Sequence, residues 1–236
     1  MKIKDAVVLV TGANRGLGKA FVDELLAAGA KKVYAGARDI STVAPRANVV
    51  PIALDVTDAA TIAAAAKQCG DTTIVINNAG ISRGSSLLSA DSVATAKAEF
   101  ETNFFGPFAM AQAFAPILAA NGGGAMINVL SVLSWLNTAF AATYCTSKAA
   151  AWSLTNGLRH ELRAQGTQVV AVHVGFMDTD MTKGIEGDKA NPNDVARQTL
   201  AVLEAGGEEV LADAISRYAK DGLSAEHAVY LQEIPH

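Results

Sequence analysis

The sequence predicts an α/β protein built on a doubly wound parallel sheet of about seven strands flanked by helices on both faces, and three observations carry the prediction. Short apolar runs alternate with amphipathic stretches along the chain. The central runs are apolar at nearly every position, as strands covered on both faces are. A glycine-rich turn joins the first run to the first amphipathic stretch.

Taken in order, residues 7–10 form the first strand, Thr11-Gly12-Ala13-Asn14-Arg15-Gly16-Leu17-Gly18 the turn, and residues 19–28 the first helix. Residues 32–35, 49–54 and 73–76 read as the next three strands, the last running into Asn77-Asn78-Ala79-Gly80. Residues 104–120 are apolar enough to suggest a membrane span. That stretch has only 17 residues and contains Gly106, Pro107, Gln112 and Pro116, so a buried helix is expected. Residues 125–130, 169–174 and 209–212 complete the strands, with a helix over 143–164. The polar segment 178–194 reads as a mobile lid before a helix that Asn191 and Pro192 start.

With 236 residues, half of them hydrophobic, the chain can bury one large core, and a single domain over residues 1–236 is expected. A net charge of −4 without a basic run argues against nucleic acid and anionic membrane as partners. Residues 1–5 pass directly into a four-residue apolar run, too short for the core of a signal peptide. Cys69 and Cys145 stand far apart with no metal-like spacing, so no metal is expected and a reducing, cytoplasmic location is.

Ser131, Tyr144 and Lys148 lie at spacings of 13 and 4, so a hydroxyl, a phenol and an amine can share one reacting oxygen. On a helix the i, i+4 pair Tyr144 and Lys148 projects from one face. An ammonium there favours phenolate and brings the phenol proton closer to transferable at neutral pH. Cys145 should point off the opposite side of that helix, away from the chemistry. At the amino end, the glycines permit positive φ and close backbone approach, and the amides opening the helix can hold a pyrophosphate. Their spacing is Gly-x-x-x-Gly-x-Gly rather than the usual Gly-x-Gly-x-x-Gly.

Together with Asn77-Asn78-Ala79-Gly80 and Asn103, these motifs resemble the short-chain dehydrogenase/reductase family in its compact, Rossmann-like one-domain form, over roughly residues 6–179. The resemblance implies that Gly12, Asn14, Arg15, Gly16, Leu17 and Gly18 cradle the pyrophosphate of a nicotinamide cofactor. It places Asp55 and Val56 beside the adenine, Asn78, Ala79 and Gly80 along the adenosine ribose and its neighbours, and Gly175, Met177 and Thr179 beyond the sixth strand. Asp55 could instead cap the following helix. It implies further that Tyr144 gives a proton to the substrate oxygen, Ser131 positions that oxygen, Lys148 lowers the phenol pKa and bonds the nicotinamide ribose, and Asn103 holds a water linking Lys148 to solvent.

Ala37 stands where NAD-preferring relatives carry an acid, and Arg38 follows it, with Arg15 as a second cation in reach; both favour NADPH/NADP+. One departure is Val174-Gly175 where the family usually has Pro-Gly, which leaves the pocket floor less constrained. His173, just before it, reads as a packed strand residue rather than a catalytic base. Ser82, Arg83, Leu133, Phe140, Phe176 and Met181 are candidate pocket residues, a mainly apolar set. The function that follows is NADPH-dependent reduction of a hydrophobic ketone or aldehyde to an alcohol. The alternatives are an NADP-dependent alcohol dehydrogenase working oxidatively and, in a different class, a non-catalytic NADP-sensing protein. A homodimer or homotetramer is expected through the helices near residues 104–119 and 149–163, the interface helices of the family.

Overall fold

The computed structural model describes residues 1–232, so the last four residues of the expected domain lie outside the described part. Among the described residues seven strands form one sheet: β1 (Val7–Thr11), β2 (Lys32–Ala37), β3 (Val49–Ala53), β4 (Ile74–Asn77), β5 (Ala125–Val129), β6 (Gln168–His173) and β7 (Glu209–Leu211). Every pairing is parallel and the order is β3-β2-β1-β4-β5-β6-β7. The order reverses between β1 and β4, and in such sheets ligands bind outside the carboxyl ends of the strands at that point.

Alternation along the central strands sends side chains to two separate cores, which is why those strands read as continuously apolar. Val8 and Val10 face one core with Ile74 and Ile76, where Phe21 and Leu25 of α1 (Gly16–Ala27) meet Val195 and Leu203 of α6 (Pro192–Glu204). Val7 and Leu9 face the other with Val75 and Met126. There they meet Ile62 of α2 (Ala59–Gln68), Phe114 of α4 (Gly106–Ala120) and Leu158 of α5 (Ala142–Leu162). Phe21 and Phe114 are both 0% exposed, and truncating either to Ala would cost about 3–5 kcal/mol. Helix starts follow the expected chemistry: Asp58 caps α2, and Asn191 caps α6 ahead of Pro192.

The expected helix at 104–120 is longer than its sequence suggests. α3 (Ser92–Phe100), a π-turn at Glu101–Phe105 and α4 run on as one helix of 29 residues, long and apolar enough by composition to cross a bilayer. Gly106 and Pro107 do not break it. The π-turn has already interrupted the regular hydrogen-bond ladder where Pro107 has no N–H to offer. Met110, Ala111, Phe114 and Leu118 turn the helix's buried face onto the sheet.

Candidate active site

The ends of β1 and β4 are stitched together by Thr11, whose Oγ1 accepts the amides of Asn78 and Ala79 at 3.0 and 2.9 Å. In return Asn78 Nδ2 donates to the carbonyls of Thr11 and Gly12 at 2.9 and 3.2 Å. The Asn78 carboxamide therefore serves the site by holding the glycine turn. Gly12 and Gly16 have φ of +63° and +51°. At Gly18, a Cβ would lie 2.0 Å from the Gly12 carbonyl oxygen, so the turn folds back tightly onto the first turn of α1. That helix has no side-chain cap and no acid in its first turn, which leaves its first amides to an anion. Leu17 packs into the core and offers only backbone, while Thr179 lies over the turn, its Cγ2 3.3 Å from where a Gly16 Cβ would be. These features fit a nicotinamide dinucleotide.

Asn14 Nδ2 donates to Thr42 Oγ1 at 3.1 Å, and Arg15, well exposed, pairs with Asp180 at 3.3 Å. Arg38 is exposed at the end of β2, next to buried Ala37. Its charge, after the bond from the Thr57 amide, helps hold the Asp55 carboxyl below its usual range. The cap on α2 is Asp58, so Asp55 is not the helix cap; its Oδ1 accepts from Thr57 N and Oγ1 at 2.9 and 2.8 Å. Val56 packs beneath Gly106.

Ser131 follows β5 and opens the 3₁₀ turn Val132–Ser134, its Oγ accepting the Leu133 amide at 3.1 Å and donating to the Val174 carbonyl at 3.4 Å. Tyr144 and Lys148 share one face of α5, with Nζ 5.7 Å from the ring centroid. Lys148 is 5% exposed and donates to the Val129 carbonyl at 2.9 Å, its one hydrogen-bond partner among the described residues. The expected lowering of the phenol pKa by Lys148 is not seen. Burial of the phenol end pushes that pKa well above the ordinary tyrosine value, with the Ser131 hydroxyl acting the other way. Burial also pushes the Lys148 ammonium down to about 8. Desolvation dominates because both polar ends lie in an enclosed place and the ammonium is turned toward a carbonyl.

Asn103 sits in the π-turn and is buried. It accepts the Ile81 amide at 2.9 Å and donates to the Ile81 carbonyl and Ser147 Oγ, each at 2.9 Å. Both its amide hydrogens are used, so its side chain braces the segment after β4 instead of reaching Lys148 directly. Gly80 sits between the two: a Cβ there would lie 3.2 Å from Asn103 Oδ1 and 3.6 Å from Lys148 Nζ. Cys145 is buried with its thiol pKa raised by burial.

Of the pocket residues, Leu133 is half-buried, while Ser82, Arg83, Phe140, Phe176 and Met181 are exposed. Met177 pairs with Ala190 across the neck of the 178–194 segment. Three supports of the site lie outside the residues its motifs mark. Thr11 was legible as a polar residue ending an apolar strand. Asp213, which accepts the Gly175 amide at 2.6 Å, is remote in sequence. Glu99, fully buried and accepting the Arg83 amide at 2.7 Å, looks like any helix-surface acid.

Residues 6–190 match the family model described as short chain dehydrogenase. The chain is 30% identical to the 3-oxoacyl-(acyl-carrier-protein) reductase FabG of Salmonella typhimurium, over 95% of this chain and 93% of that one. It superposes with a TM-score of 0.94 and 39% identity on a short chain dehydrogenase from Burkholderia cenocepacia in complex with NADP, covering 99% of this chain and 100% of that one. NADPH-bound carbonyl reductase from chicken fatty liver is 30% identical with a TM-score of 0.75, covering 85% and 91%. The family match, the relatives and the NADP-bound neighbour make this protein an oxidoreductase of the nicotinamide-dependent kind. The chain belongs to the short-chain dehydrogenase family.

Proposed function

We propose that this protein is an NADPH-dependent carbonyl reductase acting on hydrophobic ketones or aldehydes. The observation that carries the reading is the convergence of Ser131, Tyr144 and Lys148 beyond the carboxyl end of β5. Gly12, Gly16, Gly18 and the open first turn of α1 would hold the pyrophosphate, with Arg38 and Arg15 beside a 2′-phosphate. NADPH, when bound, supplies the hydride.

The chain's residues do the rest. The Ser131 hydroxyl donates to the substrate carbonyl oxygen and fixes its direction. As negative charge develops on that oxygen, the Tyr144 phenol gives it a proton, forming the alcohol. Burial keeps the phenol protonated across neutral pH, the form a donor needs. Lys148 places a cation near the resulting phenolate and has N–H donors left for the ribose of the cofactor. Asn103, through the segment after β4, holds the floor on which Lys148 rests.

Phe140, Phe176, Met181 and Leu133 supply apolar surface at the mouth, and segment 178–194 closes over it as a lid. A single domain, a cytoplasmic location consistent with two free thiols, and a dimer or tetramer through α4 and α5 belong to the same reading. The oxidative direction has support from the NADP-dependent 3-hydroxy acid dehydrogenase of Schizosaccharomyces pombe, 27% identical over 92% of this chain. A panel of ketones assayed by NADPH oxidation, and the matching alcohols by NADP+ reduction, tests both. Turnover of no carbonyl and no alcohol would leave the cofactor-sensing alternative standing.

A further inference from the structure

His173 ends β6 and has no exposed surface. Its Nδ1 lies 3.2 Å from the Ser131 carbonyl oxygen. A carbonyl only accepts, and burial keeps the ring neutral by pushing its pKa down to about 4, so the contact requires the proton on Nδ1. The ring stacks on Trp135 with centroids 3.7 Å apart and planes 18° from parallel. Trp135 closes the same 3₁₀ turn that Ser131 opens. On its far side, Nε2 faces Glu209 Oε1 at 3.7 Å without a hydrogen-bond partner among the described residues. Lys220 holds the other Glu209 oxygen at 2.7 Å and lies 5.2 Å from the Trp135 ring centroid. A residue that only filled space on a buried strand would need none of these contacts.

We propose that His173 is a positioning residue, which fixes the Ser131 hydroxyl by holding the Ser131 carbonyl from Nδ1 while Trp135 sets the plane of the ring. The Ser131 amide is already tied to Ser134 Oγ and the Ser131 Oγ to the Leu133 amide and Val174 carbonyl. The carbonyl bond secures the remaining side of the residue, so that Oγ meets the substrate oxygen in one direction. This rests on the reading of Ser131 as the hydroxyl that orients that oxygen.

The first test needs no variant. Nitrogen-15 NMR of the intact protein near neutral pH should find His173 neutral with Nδ1 protonated and Nε2 bare; a proton on Nε2 instead would overturn the proposal. The second uses acetophenone and NADPH with His173→Phe, which keeps the stack but removes the donor, and His173→Asn, whose side-chain amide can replace Nδ1. His173→Phe should lose about ten-fold or more in kcat, with NADPH affinity by fluorescence within two-fold, while His173→Asn keeps at least about a third of the parent kcat. In a Ser131→Ala background, His173→Phe should cost almost nothing further. An equal loss in both backgrounds, or equal losses in the two His173 variants, would mean a general structural role and sink the idea. Full activity in Ser131→Ala alone would remove Ser131 from the mechanism and the proposal with it, while the tautomer measurement would still report whether the contact forms.

Discussion

The Asp213 carboxylate accepts the Gly175 amide at 2.6 Å and, through its other oxygen, the Ser216 amide at 2.9 Å that opens α7 (Ala214–Gly222). One acid thus joins the turn after β6 to the last helix. It supplies a restraint where Val174 replaces the proline usual in the family, and Val174 itself packs into the core. Asp213→Ala removes a cap and a charge-assisted bond, together about 2–4 kcal/mol. Thermal unfolding should show Tm lower by roughly 5–15 °C. Asp213→Asn, which keeps an acceptor, should recover part of the loss; an unchanged Tm in Asp213→Ala would show that the turn holds without it.

Cofactor choice should follow the end of β2. With an accepted ketone, the protein should oxidise NADPH much faster than NADH, and Ala37→Asp combined with Arg38→Leu should invert the order. Equal kcat/KM for both cofactors in the unmodified chain would refute the assignment to Ala37 and Arg38.

Tyr144→Phe keeps the ring and removes only the hydroxyl, the proton donor of the proposed reaction. It should lower kcat at least about 10²-fold with NADPH affinity nearly unchanged. On the double role proposed for its ammonium, Lys148→Ala should weaken both turnover and cofactor binding. More than about a tenth of the parent activity in Tyr144→Phe would contradict the general-acid role.

The buried ammonium has a pH signature in rate and stability. Its folded pKa of about 8 lies below the ordinary 10.5, so reductive kcat/KM should fall as pH rises through about 8 and the cation is lost. Stability runs the opposite way. Between about 8 and 10.5 the unfolded chain binds the proton and the folded one does not, so this group makes stability rise with pH there, with a cost of about 3 kcal/mol present below 8. Lys148→Met should therefore raise Tm at pH 7 while abolishing turnover. A lower Tm in that variant would show that the bond to Val129 outweighs desolvation.

The π-turn and α4 leave Phe105 and Phe108 47% and 38% exposed. Burial of that surface between copies should give a dimer or tetramer by light scattering at micromolar concentration. A monomer would refute it.

The order of the strands was legible because buried parallel strands carry an unmistakable apolar run, and strand ends shifted by one or two residues where turns decide them. Residues 32–35 extend to Ala37 because the backbone keeps pairing with β3 through Ile52 and Ala53. The spacing of Ser131, Tyr144 and Lys148 was legible because it lies on one helix and the segment before it. What was not legible depends on distance in three dimensions. Nothing in the sequence says that Lys148 turns toward Val129, that Glu99 is sealed away beside Arg83, or that Asp213 reaches back to Gly175. The π-turn also escaped, since glycine and proline ordinarily signal an end.

That π-turn decides where the long helix can bear a length change. It contains one residue more than a regular helical turn, and removing a residue between 100 and 106 would let the ladder close as an ordinary α-helix with the turns on either side kept in register. Met110, Phe114 and Leu118 would stay on the sheet, while Asn103, carried by the wide turn itself, would leave Ile81. A deletion between 108 and 113 meets no spare residue and would rotate everything downstream by about 100°. The same single-codon loss would thus cost the braced segment after β4 at one place and a core at the other.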